Sequence, residues 1–461
     1  MRAIGIDIGT TSISGVVFET GSGSAHASGE HSGAKVLMSE TIPGGADIAP
    51  AHDWEKTQDP AVIVSKAEAL LDRLIDRCGE PAGIGLTGQM HGIVYVDAGG
   101  RAVSPLYTWQ DQRGGLKENG RSTAERAAAA YGRPAAPGYG LVTHIYNLEH
   151  GLVPETAVTF CTIMDYLGMQ LTGRTSPLVH ANNAASFGFW DIPGERFDEA
   201  ALVKAAAGSG TSGKGILSFL PEVTSGNEVI GEFRGIPVTV AIGDNQASFI
   251  GAAGAEEHTL LINVGTGGQV SMAGSSGLGG TSALTELRPF IDHRYLLVGA
   301  TLCGGRAYAI LERFFRSYSR EITGEDSSQY EVMERLARAE LEHEAGRDIP
   351  RTVTAFGGTR ADPGARGSIT GISEENFLPG RLILSVMEGM ISELKELYDE
   401  MLRRGAEPAV RAVVSGNGMR RNALLREITA GIFEMPAALS PYEEEAACGA
   451  AVFSLRSLTR I

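Results

Sequence analysis

Two short stretches of this 461-residue chain carry residue types suited to phosphate chemistry. In the first, Gly9, Thr10, Thr11 and Ser12 interrupt an extended run and offer backbone NH groups and hydroxyls at a turn, where successive donors can hold a phosphate. Asp7 ends the preceding strand, placed for its carboxylate to hold a hydrated Mg²⁺ beside that phosphate, because Mg²⁺ takes one or two carboxylates and fills its shell with water and phosphate oxygens. In the second, Gly265, Thr266, Gly267 and Gly268 form a similar turn whose backbone NH groups can approach β- and γ-phosphates where a side chain would obstruct. A tight turn with no ligand would use the same residues in either place. Asp244 follows an apolar strand and opens a helix, so its carboxylate is expected to project into a cleft and accept the proton of an attacking hydroxyl during phosphoryl transfer. The bland alternative is that Asp244 only caps that helix.

A second set suits a polyol. Gln89, Met90 and His91 follow a strand and lie between Gly88 and Gly92, which permit close approach. Trp109, Gln110, Asp111, Gln112 and Arg113 combine an indole face with donors and acceptors. Asp165, Asn183 and its neighbours Asn182 and Ser186, and Asn245 beside Asp244 add amides, a hydroxyl and a carboxylate. Singly, His91 and Trp109 read as core residues. Their clustering in the first half, with nucleotide-type turns in the second, favours a ligand. Gly416, Asn417, Gly418, Met419 and Asn422 join a strand to a helix, and a plain structural joint is the competing reading. The run from Gly208 to Gly215 nearly spells a P-loop, but Gly215 stands where the Mg²⁺-binding hydroxyl belongs and no strand precedes it, so it is set aside.

These residues need elements to hold them. Ile4, Ile6 and Ile8 alternate as in a strand, and Ile13, Val16, Val17 and Phe18 resume extended character, predicting a hairpin. A flexible turn at Gly21, Ser22, Gly23 and Ser24 precedes a third strand over Lys35–Ser39. Asp59 and Pro60 are N-cap and first residue of a helix through Cys78, closed by Gly79. Strands follow at Gly83–Thr87, Ile236–Ile242 and Leu260–Val264, the last leading into a second hairpin. A long helix spans Leu382–Leu402, a strand Arg411–Ser415, and a final helix Glu445–Leu455 is lined with Ala446, Ala447, Gly449, Ala450 and Ala451, small enough for close packing. The Ala-, Gly- and Ser-rich stretch 205–227 suggests a boundary, giving domains 1–240 and 241–461.

The length favours two domains. A net charge of −16 argues against nucleic acid or an anionic membrane as partner, while leaving nucleotide open, since Mg²⁺ and backbone dipoles neutralise phosphates. The four cysteines form no CxxC pair, which predicts buried thiols in a reducing compartment rather than zinc or disulfides. With no leader pattern and no apolar run of about 18 residues, a cytoplasmic address is expected.

The run Asp7-Ile8-Gly9-Thr10-Thr11-Ser12 resembles the first phosphate motif of the ATPase superfamily that joins actin, heat-shock chaperones and sugar kinases, and motifs from Asp7 to Gly449 resemble FGGY carbohydrate kinases. The resemblance implies an α/β fold of two actin-like ATPase (ribonuclease H-like) domains facing each other across a catalytic cleft. It implies ATP with Mg²⁺, Asp7 on the metal, Asp244 as catalytic base, and phosphate binding by Thr10, Thr11, Ser12, Gly265, Thr266 and Gly267. Adenosine would meet Gly416, Gly418, Met419 and Asn422, and the sugar Gln89, Met90, His91, Trp109, Gln110, Asp111, Arg113, Asp165, Asn183, Asp244 and Asn245. Gly88-Gln89-Met90-His91-Gly92 is similar to xylulokinases; Thr108–Arg113 and Asn183–Phe189 are similar to sedoheptulokinases. His180-Ala181-Asn182 departs from the acidic residue expected ahead of the latter run. The expected partners are a small sugar and ATP, with a homodimer compatible with the sequence. The alternative of another class is an ATP-gated actin-like or chaperone-like binding module, which would not need the polar set around His91, Trp109 and Asp111.

Overall fold

A computed structural model describes residues 1–21, 34–207, 213–274, 282, 284–342, 348–359, 362 and 364–459. The turn residues 22–24 and most of the near-P-loop, 208–212, lie outside the described residues. The chain forms two compact units: Met1–Ala255 with Arg288–Arg294 and Glu444–Ile461, and Glu256–Leu287 with Tyr295–Glu443. The division expected at 240/241 falls inside the first unit. Asp244 and the C-terminal helix, expected in a second domain, both belong to the first unit.

The first unit is built on seven strands among the described residues, β1 (Arg2–Ile8), β2 (Ser12–Glu19), β3 (Lys35–Pro43), β4 (Gly83–Gly88), β5 (Val229–Phe233), β6 (Ile236–Thr239) and β7 (Ile242–Gly243). Their order is β5-β6-β4-β1-β2-β3, with β7 also on β4. β1 and β2 are the predicted antiparallel hairpin, and β1 and β7 run parallel to β4. Helix α1 (Pro60–Cys78) starts as the sequence predicts: Asp59 accepts from the NH groups of Ala61 and Val62, and Gly79 closes it with a positive φ. Leu70 and Leu74 of α1 pack beside Ile6 on one sheet face.

The other face explains the small residues of β1. Helix α2 (Asp244–Ala253) and the C-terminal helix Glu445–Leu458 pack together, and the latter lies against β1 and β4. A Cβ on Gly5 would sit 1.8 Å from the carbonyl oxygen of Ala447, and one on Gly85 1.9 Å from that of Ala450. The alternation Ile4-Gly5-Ile6 is therefore not core against solvent. It is a large-residue face against a face where a helix backbone touches a strand.

One extra residue separates the registers of β6 and β7, because Val238 pairs with Ile84 whereas Ile242 pairs with Thr87. The single strand expected over Ile236–Ile242 is thus two pieces joined at a bulge. The bulge frees the Ala241 carbonyl, which accepts from Asn183 Nδ2 at 3.0 Å.

The second unit repeats the pattern. β8 (Thr259–Val264) and β9 (Gly268–Gly274) form an antiparallel hairpin, β10 (Tyr295–Thr301) pairs with β9, and β11 (Arg411–Ser415) runs parallel to β8. Helix α3 (Gly305–Thr323) follows β10, and α4 (Pro379–Arg403) buries Ile383, Met387, Met390, Ile391 and Leu394 in a core with Leu260, Ile262 and Val264. All four cysteines are buried and free of disulfides. Among the described residues no helix is long and apolar enough to cross a membrane.

Candidate active site

Three parallel strands end at one edge of the first sheet. Asp7 of β1 and Ile242 of β7 both stand opposite Thr87 of β4. The segments that leave these strands, Gly9–Ser12, Gln89–His91 and Asp244–Asn245, therefore emerge together at the carboxyl ends of the strands, where open α/β sheets bind ligands. Asp7 Oδ1 is buried without a hydrogen-bond partner among the described residues. Burial, then the nearby Asp244 and Glu444 carboxylates, push the Asp7 carboxyl up to about 7. Asp244 is the first residue of α2, capped by Gly243, so it is not the cap. Burial raises its carboxyl to about 6, against the lowering influence of the Asn245 NH and the Arg288 guanidinium.

Three acidic groups near one another create a demand for positive charge. Among the described residues no cluster of three His, Cys, Asp or Glu is arranged to hold a metal alone. That donor set fits Mg²⁺ on one carboxylate with water and phosphate oxygens, and does not fit a closed protein cage.

The turn after β1 is fastened by side chains. Thr10 Oγ1 donates to Gln89 Oε1 at 3.5 Å, Gln89 Nε2 to Gln58 Oε1 at 2.9 Å, and Gln58 Nε2 to the Thr10 carbonyl at 2.8 Å, which closes a ring. Gln58 also donates to Asp47 Oδ1 at 2.9 Å, and Trp109 Nε1 donates to Thr10 Oγ1 at 3.0 Å. Sequence reading passed over Gln58. The signal was present: a polar residue directly ahead of the helix start Asp59-Pro60.

The expected sugar residues divide into two groups. Gln89, Met90, His91, Trp109, Asp165, Asn183, Asp244 and Asn245 lie on or beside this edge. His91 has φ +73°, its NH donates to Ser186 Oγ at 3.0 Å, and its ring stacks on Tyr139 at 4.8 Å. Left-handed backbone at a non-glycine residue costs energy and is held here by its surroundings. Met90 lies so close over Gly243 that a Cβ there would meet its sulfur at 2.5 Å. Trp109 is 46% exposed, so its indole is not a core residue. Buried Thr87 Oγ1, Asn182 Nδ2, Asn183 Oδ1 and Asn245 Oδ1 have no hydrogen-bond partner among the described residues. Buried polar groups are normally paired, so this set is suited to a hydroxyl-rich ligand with its water. Asp165 is committed differently: Thr162 Oγ1 donates to it at 2.6 Å, Asn183 lies at 3.5 Å, and burial pushes its carboxyl up to about 7.

Asp111 and Arg113 form the other group. Their side chains are 0% and 5% exposed and meet at 2.7 Å. Asp111 also accepts from the Lys56 NH, Arg113 reaches Asn147 Oδ1, and its guanidinium lies over the Tyr107 ring. This buried pair holds the loop that carries Trp109 and exposed Gln110. His180, which the sequence left between packing and contact, is buried, caps the short helix Ala181–Ser186 through its ring, and lies edge-on to Phe453.

In the second unit the turn after β8 is held by backbone. The Gly305 NH donates to the Gly265 carbonyl at 2.9 Å and the Arg306 NH to that of Thr266 at 3.0 Å. Gly416, with φ +84°, and Gly418 let the short helix they belong to, Gly416–Arg421, sit over the Val264 carbonyl. Met419 is buried in the core, and Asn422 caps the helix Ala423–Phe433 by accepting from the Leu425 NH at 2.9 Å. These two residues thus shape the joint from within.

Residues 2–261 match the N-terminal domain of the FGGY family of carbohydrate kinases, and residues 260–458 its C-terminal domain. A sedoheptulokinase from Mus musculus is 27% identical, aligning 98% of this chain with 97% of that protein, and one from Homo sapiens is 26% identical with the same coverage. A xylulose kinase from Streptomyces rubiginosus is 24% identical over 99% of this chain and 88% of its own length. Among solved structures, a "xyloylose kinase" from Brucella ovis superposes with a TM-score of 0.78 at 20% identity, covering 100% of this chain and 91% of that one. Plasmodium falciparum glycerol kinase with ADP gives 0.76 at 20% identity, covering 100% and 90%. The fold is the two-domain, actin-like α/β fold of these kinases, and the chain belongs to the FGGY family of carbohydrate kinases, ATP-dependent sugar phosphotransferases.

Proposed function

We propose that this chain transfers the γ-phosphate of ATP to the terminal hydroxyl of a ketose, sedoheptulose first, giving sedoheptulose 7-phosphate. The observation that carries the reading is the pair Asp7, in β1, and Asp244, directly after β7, at the ends of two strands that both pair with β4, with the uncommitted polar atoms of Thr87, Asn183 and Asn245 on the same edge. Asp244, with its carboxyl near 6, is ionised at neutral pH and takes the hydroxyl proton. The hydroxyl oxygen bonds to the γ-phosphorus, whose bond to the β–γ bridging oxygen breaks, and ADP leaves with that electron pair. Asp7 would hold Mg²⁺, which when bound neutralises charge on the phosphate oxygens. Thr10, Thr11 and Ser12 in the first unit, and Gly265, Thr266 and Gly267 in the second, are the proposed phosphate-binding turns. Gly416 and Gly418 make room for adenosine at a joint that Met419 and Asn422 shape. Gln89, Met90, His91, Trp109 and Asn183 orient the sugar, with Asp111 and Arg113 holding Trp109 in place.

Sedoheptulose is favoured by near full-length similarity to two sedoheptulokinases and by the Thr108–Arg113 and Asn183–Phe189 runs. D-xylulose is the second reading, favoured by Gly88-Gln89-Met90-His91-Gly92. The test is ADP release from Mg·ATP with sedoheptulose, D-xylulose, D-ribulose, L-ribulose, L-fuculose and glycerol against a no-sugar control. Stimulation confined to one ketose identifies the substrate, and no stimulation by any sugar sinks the ketose reading. Asp244→Asn is expected to lower turnover about 10²–10⁴-fold with sugar binding retained. Near-normal turnover in that variant would remove Asp244 from the chemistry.

A further inference from the structure

The ring of hydrogen bonds behind the first turn joins two residues assigned to different ligands. Thr10 belongs to the phosphate turn and Gln89 to the sugar side, and Gln58 lies between them. Gln58 is 2% exposed and has no spare donor: both Nε2 hydrogens are used, on Thr10 O and Asp47 Oδ1, and Oε1 accepts from Gln89. Gln58 therefore cannot rotate its amide without breaking all three contacts. Gln89, 3% exposed, is different: the ring uses one Nε2 hydrogen and one lone pair on Oε1, which leaves a donor and an acceptor for a ligand.

The donors run one way around the ring, from the Thr10 hydroxyl to Gln89, from Gln89 to Gln58, and from Gln58 back to the Thr10 carbonyl. In a water-poor interior such chains polarise and reinforce one another. A sugar hydroxyl on Gln89 would fix the amide in the orientation that closes the ring and so hold the Thr10 turn in one shape. A phosphate on the turn would act in reverse, because coupling between two binding sites is reciprocal.

We propose that Gln58 is a positioning residue that couples ketose binding at Gln89 to nucleotide-phosphate binding at the Thr10 turn. The proposal rests on the kinase reading above. It predicts that the two ligands tighten each other through a side chain that touches neither.

The test is the affinity for sedoheptulose, or for whichever ketose the panel identifies, with and without a non-hydrolysable ATP analogue and Mg²⁺. It is run by calorimetry on the full chain. In the unaltered protein the analogue is expected to tighten ketose binding about fivefold or more, the lower end of usual coupling factors. In Gln58→Leu, which removes all three contacts, each ligand alone should bind within about threefold of normal while the mutual factor falls to about one. Gln58→Met, unbranched and close to glutamine in length, also removes all three contacts, should uncouple the sites as well, and serves if the leucine variant does not fold. A merely structural role would lower the melting temperature and weaken both ligands while the factor stayed as it was, and that result overturns the proposal. Equally fatal is an unaltered protein whose ligands ignore each other. If no ketose binds the unaltered protein, the ketose reading itself has failed and the coupling falls with it.

Discussion

The two hairpins share a backbone plan and differ in what they leave free. Asp7-Ile8-Gly9-Thr10 and Asn263-Val264-Gly265-Thr266 occupy the same place in each unit. Each polar residue stands across a parallel strand from a hydroxyl residue, Asp7 from Thr87 and Asn263 from Ser415. In the second unit the two bond to each other, Asn263 Nδ2 donating to Ser415 Oγ at 2.7 Å. In the first, Asp7 Oδ1 and Thr87 Oγ1 are buried without partners among the described residues. The second turn is closed by backbone NH groups of α3, the first by the side chains of Gln58, Gln89 and Trp109. One plan can pair the polar residue at its strand end with a neighbour or leave it uncommitted. The difference is one carboxylate kept uncommitted, at an electrostatic cost visible in its raised pKa.

Four experiments bear on that contrast. The largest effect is expected from Asp7→Asn, which makes the first hairpin chemically like the second. A bound metal is worth several kcal/mol of charge stabilisation, so kcat/KM should fall about 10²-fold or more. A loss under threefold in steady-state assays would mean that the uncommitted carboxylate is not what distinguishes the two. Next is Gly304→Ala at the second turn, where the new Cβ would lie 2.3 Å from the Gly267 carbonyl oxygen, a backbone atom that cannot swing aside. Overpacking of this kind costs about 1–3 kcal/mol, read as a lower denaturation midpoint. Unchanged stability would show that this turn is not held rigidly by its backbone.

The third concerns pH. With the Asp7 carboxyl near 7 and the metal requiring its ionised form, divalent-ion affinity should rise with pH, by about tenfold between pH 6 and pH 8. Mn²⁺ binding followed by electron paramagnetic resonance, with Asp7→Asn as control, reads this directly, and a flat profile in both proteins removes Asp7 as the ligand. The smallest is Trp109→Phe, which deletes the 3.0 Å bond to Thr10 Oγ1 at a solvent-exposed indole. One such bond is worth about 0.5–1.5 kcal/mol, so KM for ATP should rise a fewfold. No change in KM would show that the first turn is held by Gln58 and Gln89 without the indole.

The sequence by itself determined the pieces whose causes are local. Alternation of Ile4, Ile6 and Ile8, capping by Asp59 with Pro60, the period of the helix through Met387, Met390 and Leu394, and the two Gly-Thr turns all depend on residues a few positions apart, and all lie where the pattern placed them. The family likewise followed from motifs spread along the whole chain. Only tertiary structure decided which polar residues remain available. Asp111 and Arg113 have the composition of a sugar site, yet burial beside Tyr107 and Asn147 turns them into a scaffold, while Gln58, unremarked in the sequence, closes the ring at Thr10. Tertiary structure also returned Glu445–Leu458 to the first unit, because Gly5 and Gly85 accept a helix backbone that no larger residue would admit. A period can be read from neighbours in the chain. Whether a donor is spent, or a glycine is touched, depends on atoms tens to hundreds of residues away, and those meet only in the fold.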